Sequence, residues 1–312
     1  LHIGSMSIEA TADPGKTARS GFLYAFSAYV LWGFLPLYMK AVAHIPAIEV
    51  VAHRAIWSLP VAGALLVWLG RTDDIRRGLR NPRTLMMGSL TAALITINWC
   101  VYVWAISVGR TLETALGYYI NPLLSILVGA ILLGEKLKPT QMAAIGLAAL
   151  AVLLLTWENG GLPWVSIVLP VSWTFYALCK RTLPIGPAQG FFLEVLILAV
   201  PALAYVVWLQ ATGNGHFGNQ GMTDVWLLMS AGLVTAIPLI LYANGAKLLS
   251  LSTIGIMQYI APTLIFLVAV FIFHEPFSTE RAVAFGLIWA GLALYTWPMF
   301  AGARQPAGPP AE

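Results

Sequence analysis

Two neighbouring apolar segments carry polar side chains at helical spacing, where they could bind a small molecule. Thr91, Asn98 and Tyr102 recur at intervals of seven and four residues, which places them on one face of a helix. Intervals of four, three and four residues separate a second set: Thr114, Tyr118, Asn121 and Ser125. Buried hydroxyl and amide groups need hydrogen-bond partners, and a bound ligand can supply them. The alternative is that these groups only satisfy the backbone at helix kinks.

Aromatic residues would add stacking surfaces to such a site. Trp32 and Trp173 occupy equivalent positions of an internal repeat, and Trp99 and Tyr176 join them. The segments that repeat the two polar stripes are less polar; they contribute Thr235, Tyr242 and Gln258. The predicted binding site is therefore asymmetric, with more hydrogen-bonding groups from the first half of the chain.

Two charged residues lie well inside apolar segments. Arg54 follows the start of its segment by about 10 Å of helix, at about 1.5 Å per residue. A carboxylate on a ligand could pair with it in bidentate geometry. The alternatives are a salt bridge to Glu49 or Glu113, or extension of the side chain to the membrane surface. Glu194 is either a proton-linked group or a structural partner.

The sequence carries no recognisable catalytic or cofactor motif. There is no H-E-x-x-H, no P-loop, no G-x-S-x-G and no Cys/His cluster. The two cysteines lie in apolar segments and the five histidines are scattered, so neither a metal site nor a cofactor is predicted. An enzyme is disfavoured, and any transport would run on a gradient because no nucleotide site is present.

The composition places these residues in a membrane. Apolar residues make up 59% of the chain and charged residues 10%, and the mean hydropathy is +0.80. A bilayer-spanning helix needs roughly 20 apolar residues. The chain offers ten such stretches, which predicts an all-α polytopic membrane protein: 20–39, 47–69, 85–107, 112–133, 140–157, 163–179, 188–209, 225–246, 252–273 and 281–300.

The second half of the sequence repeats the first. Aligning 119–157 with 259–297 without a gap leaves thirteen of thirty-nine positions identical, including Glu135 with Glu275. Each half contains five predicted spans, an odd number, so equivalent helices would cross the bilayer in opposite directions. Two inverted five-helix repeats are a recurring design of secondary transporters.

The distribution of basic residues predicts the orientation. With the N-terminus inside, thirteen lysines and arginines fall in inner segments and three in outer ones. This bias favours both termini on the cytoplasmic side of a bacterial inner membrane. The cluster at 71–83 is then a topology anchor near lipid headgroups or, alternatively, a site for an anionic partner. This placement explains the net charge of +4 without a nucleic-acid partner.

Proline and small residues divide the spans into two kinds. Seven spans contain a proline well inside them and are predicted to kink, whereas span five contains none and span ten only Pro298, two residues before its end. These two spans carry small residues that permit close helix contact. They are predicted to be scaffold helices, packed within one chain or, alternatively, forming a homodimer contact.

The predicted organisation has four parts. Residues 1–19 form a disordered tail that begins with an expression-tag remnant, 20–157 form the first repeat, 158–300 form the second, and 301–312 form a disordered tail.

Several segments in combination resemble the drug/metabolite transporter superfamily, in its EamA branch and its RarD-type members. These segments are Glu49–Ser58, Asn98–Ala105, Gly117–Pro122 with Gly134-Glu135, and Gln258–Pro262. The resemblance implies ten helices in two inverted repeats and the export of small molecules. YddG-type aromatic amino-acid exporters fit an aromatic cavity with few charges best. The resemblance therefore predicts export of apolar or aromatic amino acids, with other metabolites or drugs, a channel, an embedded enzyme or an assembly or sensor protein as alternatives.

Overall fold

The part of the chain that the structure describes consists of helices and the connections between them. A computed structural model describes residues 14–302, except 135 and 159, and contains no β-strand among them. The first six helices are α1 Pro14–Ala41, α2 Ala47–Trp68, α3 Thr72–Leu79, α4 Pro82–Ser107, α5 Thr111–Leu133 and α6 Pro139–Glu158. The other six are α7 Trp164–Thr182, α8 Pro187–Ala211, α9 Met222–Leu248, α10 Leu251–Met257, α11 Ile260–Leu267 and α12 Thr279–Gly302.

Among the described residues, eight helical segments are long and apolar enough to cross a membrane. They are 19–41, 47–68, 82–107, 111–132, 139–158, 187–211, 222–248 and 253–272, each one of the ten predicted spans. The other two predicted spans correspond to α7 and α12. The chain is thus a multi-pass membrane protein.

The predicted tails lie largely outside the described residues. Residues 1–13 and 303–312 lie outside the described part, as does Glu135 of the repeat alignment. The two terminal helices are longer than the predicted spans, because α1 begins at Pro14 and α12 extends to Gly302. The basic cluster contains a short helix, α3, which the sequence analysis did not predict.

Span nine was predicted as one continuous helix, and the structure shows it interrupted. It divides into α10 and α11 at Gln258 and Tyr259, and α11 continues into a π-helical turn at Val268–Ile272. Pro262 has no N–H to donate to the carbonyl of Gln258, four residues earlier. The break therefore lies where the proline leaves a helical carbonyl without its partner.

Close helix contacts depend on two glycines of α9. A Cβ on Gly232 would overlap the backbone carbonyl of Trp57 in α2, and a Cβ on Gly245 would lie 2.7 Å from the backbone nitrogen of Ala25 in α1. The absence of a side chain at these two positions lets α9 pack closely on both α1 and α2, and a larger residue would not fit there.

The two predicted scaffold helices, α6 and α12, pack on each other within the chain. A Cβ on Gly291 would lie 3.1 Å from the carbonyl oxygen of Ala144, so these small residues meet in that contact. Gly146 and Gly286 have open space beside them. Packing within one chain therefore accounts for Ala144 and Gly291, and a homodimer contact stays a prediction.

One end of the bundle is joined by buried carboxylates. We call it the loop-1 end because it holds the α1–α2 connection. Both carboxylate oxygens of Glu275, which is 8% exposed, accept hydrogen bonds from the first turn of α5, from Thr111 N at 2.7 Å and Leu112 N at 2.8 Å. A carboxylate at a helix N-terminus satisfies unpaired donors and interacts favourably with the helix dipole. Glu275 thus attaches the end of span nine to the start of α5.

Two histidine–carboxylate pairs lie at the same end. Glu49 at the start of α2 accepts hydrogen bonds from the backbone N–H of His216 at 2.7 Å and pairs with its ring Nδ1 at 2.8 Å. His44 Nε2 lies 2.9 Å from Asp224 Oδ1 in the first turn of α9. These contacts join the first half of the chain to the second.

Candidate functional site

Arg54 in α2 is buried among aromatic and hydroxyl side chains. It is 4% exposed, and its guanidinium carbon lies 4.4 Å from the ring centroid of Trp99 in α4. Its Nε donates a hydrogen bond to Thr235 Oγ1 in α9 at 3.1 Å. Arg54 therefore joins elements of both halves, and the predicted involvement of Thr235 rests on a direct contact.

The two alternatives for Arg54 are wrong. Glu49 pairs with His216, and Glu113 pairs with Arg110 at 2.6 Å, so neither forms a salt bridge with Arg54. Extension to the membrane surface is incompatible with a side chain that is 4% exposed. Arg54 points into the bundle.

Asn98 links α4 to α7 beside this site. Its Nδ2 donates to the backbone carbonyl of Leu169 and to Ser172 Oγ, both at 3.0 Å, and its Oδ1 lies 3.5 Å from the hydroxyl of Tyr118. The rings of Tyr118 and Tyr102 lie 5.8 Å apart. The bond to the Leu169 carbonyl matches the alternative stated from sequence, that polar residues satisfy the backbone of a helix. The Oδ1 of Asn98 is on the side of Tyr118.

Three tyrosines interact electrostatically with the guanidinium. Tyr38, Tyr102 and Tyr118 all lie within electrostatic range of Arg54. The hydroxyl of Tyr38 donates to the carbonyl of Leu227 at 2.5 Å. The hydroxyl of Tyr102 is buried without a hydrogen-bond partner among the described residues, as is Nη1 of Arg54. The site thus contains donors that the protein itself does not satisfy.

The other residues of the two polar stripes bond within their own helix or to α7, outside the Arg54 site. Thr91 is buried and donates to the carbonyl of Gly88 within α4. Asn121 Oδ1 accepts a hydrogen bond from Thr174 Oγ1 in α7 at 3.3 Å, and Ser125 Oγ lies 3.2 Å from the same hydroxyl. Asn121 therefore links α5 to α7, as Asn98 links α4 to α7.

The predicted aromatic residues fall in two further groups. Trp32 packs with Tyr29 and Tyr242, with ring centroids 5.5–5.9 Å apart. Gln258 lies at the break after α10 and donates to the carbonyl of Gly255. These residues form an aromatic group where α1, α9 and span nine meet.

The second aromatic group belongs to α7 and α8. The rings of Trp173 and Tyr176 lie 5.6 Å apart, and the Tyr176 hydroxyl donates to Glu194 Oε2 at 3.1 Å. Lys180 Nζ lies 2.7 Å from Glu194 Oε1. Glu194, which is 1% exposed, is thus paired on both oxygens, which matches the structural-partner alternative.

The structure brings Arg54, Trp99, Asn98, Tyr102 and Tyr118 into one central cluster. The remaining predicted residues lie in the groups around Trp32 and Trp173 or in the contacts of Thr91 and Asn121. Sequence reasoning missed Tyr38 and Ser172; Ser172 lies four residues before Tyr176, on the same helical face, whereas Tyr38 is not at helical spacing from Trp32. The described residues contain no group of side chains suited to a metal ion, and both cysteines are free.

The central cluster is suited to binding rather than to covalent chemistry. It offers a fixed positive charge, an aromatic face and several hydroxyls. Groups of these kinds are suited to a small polar molecule with an anionic or planar part.

Comparison with known proteins identifies the family. The EamA-like transporter family matches residues 19–157. Protein RarD of Streptomyces exfoliatus is 42% identical over 92% of this chain and 91% of its own length. The uncharacterized transporter YojE of Bacillus subtilis is 39% identical over 89% of this chain and 94% of its own length.

One solved crystal structure is similar in fold. It matches with a TM-score of 0.58 and 23% sequence identity, over 93% of this chain and 99% of that one. The strong similarity to RarD proteins along nearly the whole chain confirms the resemblance of the sequence motifs. The chain belongs to the EamA-type drug/metabolite transporters, in their RarD branch.

Proposed function

We propose that this transporter exports small metabolites across the bacterial inner membrane, apolar or aromatic amino acids first among them. It works by alternating access without ATP hydrolysis. The observation that carries the proposal is the central cluster, in which Arg54 of one half lies against Trp99 and bonds to Thr235 of the other half. A cargo bound between two halves is exposed to either side when the halves rock.

The helix contacts support two inverted five-helix repeats and ten spans. Exchanging each helix for its repeat equivalent turns the α1–α9 contact into α4–α7, α2–α9 into α4–α8, and α1–α11 into α5–α7. All six contacts are present, and the α2–α8 and α6–α12 contacts map onto themselves. This pattern is expected of a pseudo-two-fold axis.

The loop-1 end corresponds to the periplasmic side when both termini are cytoplasmic. The bonds of Glu275, Glu49 and His44 across the halves then close that side. Export requires these bonds to break while the opposite end closes. In the conformation described here the loop-1 end is closed.

Aromatic side chains supply selection without demanding one cargo. An aromatic pair contributes roughly 0.5–1.5 kcal/mol beyond the burial of its surface. Several such contacts allow broad, weak recognition of apolar and aromatic side chains. Other metabolites or drugs with a planar part are the alternative cargo.

Counterflow in proteoliposomes tests the proposal. Vesicles loaded with unlabelled phenylalanine should accumulate labelled phenylalanine transiently, with saturable kinetics and no ATP. Loading with nucleotide sugars should give no such exchange. Exchange of nucleotide sugars or polyvalent cations, with none for any amino acid, would refute the proposed cargo.

A further inference from the structure

Arg54 carries a buried charge that the protein leaves uncompensated. A charged side chain inside a membrane protein normally pairs with an opposite charge. Among the described residues no acidic side chain forms an ion pair with Arg54. The acids of the surrounding helices are engaged elsewhere, in these contacts: Glu49 with His216, Glu113 with Arg110, Glu194 with Lys180, Asp224 with His44, and Glu275 with the start of α5.

The hydrogen-bonding capacity of Arg54 is also incompletely used. Its Nε bonds to Thr235, whereas the buried Nη1 has no hydrogen-bond partner in the described part of the chain. Arginine presents five N–H donors in a fixed planar fork. An unpaired donor on a buried cation is costly, and an anion that accepts from it would remove the cost.

The surrounding side chains fix the orientation of the fork. The ring of Trp99 covers one face of the guanidinium at 4.4 Å, and Thr235 holds the Nε edge. The plane is thereby held, so the terminal nitrogens form the remaining edge. That edge matches the two oxygens of a carboxylate.

Tyr102 supplies a second unused group at the same place. Its hydroxyl is buried and has no hydrogen-bond partner within residues 14–302 as described, and Arg54 and Tyr102 interact electrostatically. A carboxylate oxygen accepts from a hydroxyl as readily as from a guanidinium. Two donors without a partner among the described residues are thus close enough to each other to interact, and one carboxylate has acceptors for both.

The positive charge of Arg54 has no equivalent in the second repeat. The position equivalent to Arg54 in the second half is Val195. A single site for one anionic group follows, rather than a symmetric pair.

From these observations we propose that Arg54 binds a free carboxylate of the cargo, with Tyr102 as a second donor. The inference rests on the proposed function and narrows its cargo to carboxylate-bearing molecules with an apolar or planar part. Amino acids belong to this class, and their amides and esters do not.

The first test uses the unaltered protein and competing compounds. Phenylalanine exchange should be inhibited by 3-phenylpropanoate, which keeps the carboxylate and lacks the amine. Phenylalaninamide, which keeps the ring and amine but lacks the carboxylate, should inhibit at least tenfold more weakly than 3-phenylpropanoate. Charge-assisted hydrogen bonds support a loss of roughly ten- to a hundredfold. Equal inhibition by phenylalaninamide and phenylalanine would overturn the assignment.

The second test measures binding without transport. Adding 3-phenylpropanoate should raise the melting temperature of the purified protein and of Arg110→Gln, but not of Arg54→Gln. Arg110 is a matched control because its guanidinium also lies against tryptophan rings, outside the cluster. If no amino acid is exchanged but this pattern holds, the proposed cargo fails and the carboxylate site stands. An equal rise in Arg54→Gln, or none in the unaltered protein, would overturn the site itself.

Discussion

Individual polar groups in the central cluster divide into those that hold helices together and those left free. Asn98 belongs to the first kind, because its amide nitrogen bonds to the backbone of α7. Tyr102 belongs to the second, because its buried hydroxyl has no partner in the described part of the chain. This difference separates effects on folding from effects on transport.

Tyr102→Phe should weaken cargo binding and leave the fold intact. The substitution removes a hydroxyl that makes no hydrogen bond in the structure, so the melting temperature should stay unchanged. If the hydroxyl binds cargo, the apparent affinity for phenylalanine should fall several-fold. Counterflow kinetics and a thermal melt of the same preparation measure both quantities.

Tyr119→Phe is the matched control. The Tyr119 hydroxyl lies 2.7 Å from Thr263 Oγ1 and outside the cluster, so its removal should lower stability without changing affinity. Such bonds contribute about 0.6 kcal/mol on average in membrane proteins. A lower affinity in Tyr119→Phe than in Tyr102→Phe would place the cargo elsewhere.

The sequence predicted most residues of the cluster but not their partners. Helical spacing was enough to place Asn98 and Tyr102 on one face, and the position of Arg54 inside an apolar segment marked it as unusual. The bonds of Arg54 to Thr235 and of Asn98 to Ser172 connect residues more than seventy positions apart. Helical periodicity within single segments carries no information about which faces meet.

At the scale of helices, close packing of α9 against α2 depends on Gly232. Gly232→Ala should destabilise the fold by about 1–3 kcal/mol, because the added Cβ overlaps the carbonyl of Trp57. The yield of monodisperse protein and its melting temperature should both fall. Gly286→Ala, which adds a methyl group to open space in α12, should be neutral or stabilising. Equal behaviour of the two variants would contradict this packing.

The attachment of Glu275 to α5 should control the opening of the loop-1 end. Glu275→Gln removes the negative charge that interacts with two N–H groups at the start of α5. An impermeant maleimide should then label Thr114→Cys faster from the outer side, in a background where Cys100 and Cys179 are replaced by alanine. Thr114 is fully buried, so slow labelling of the parent variant is expected.

Glu158→Gln provides the comparison for Glu275→Gln. Glu158 bonds to Ser278 and Arg281 at the same end, but its side chain is 19% exposed. A more exposed charge contributes less, so this substitution should change the labelling rate less. Faster labelling in Glu158→Gln than in Glu275→Gln would show that Glu275 is not the carboxylate that keeps this end closed.

The helices themselves followed from apolar run length, whereas their interruptions did not. Seven internal prolines were visible, yet only Pro262 lies beside a break between helices. Pro122, its repeat equivalent, lies within the continuous helix α5. Whether a proline bends or breaks a helix depends on the groups packed around the freed carbonyl, and these come from other helices.

For the molecule as a whole, transport should depend on the cargo gradient rather than on protons. Glu194, the acid most suspect from sequence, is paired with Lys180 and Tyr176. Collapsing both the pH gradient and the membrane potential should therefore leave flux down a cargo gradient unchanged. Flux measured with and without ionophores checks this. Complete loss of flux would make the carrier proton-coupled.

The central claim is that the two halves rock about the cluster and that the loop-1 end must open in every cycle. His44 and Asp224 lie on opposite halves with their side chains 2.9 Å apart. A His44→Cys and Asp224→Cys pair, in the background without native cysteines, can be joined by a short reducible crosslinker.

Phenylalanine counterflow before crosslinking, after it, and after reduction is the most direct measurement. Crosslinking should abolish exchange and reduction should restore it, while the single His44→Cys variant should exchange throughout. Full exchange by crosslinked protein would contradict alternating access through this end of the bundle.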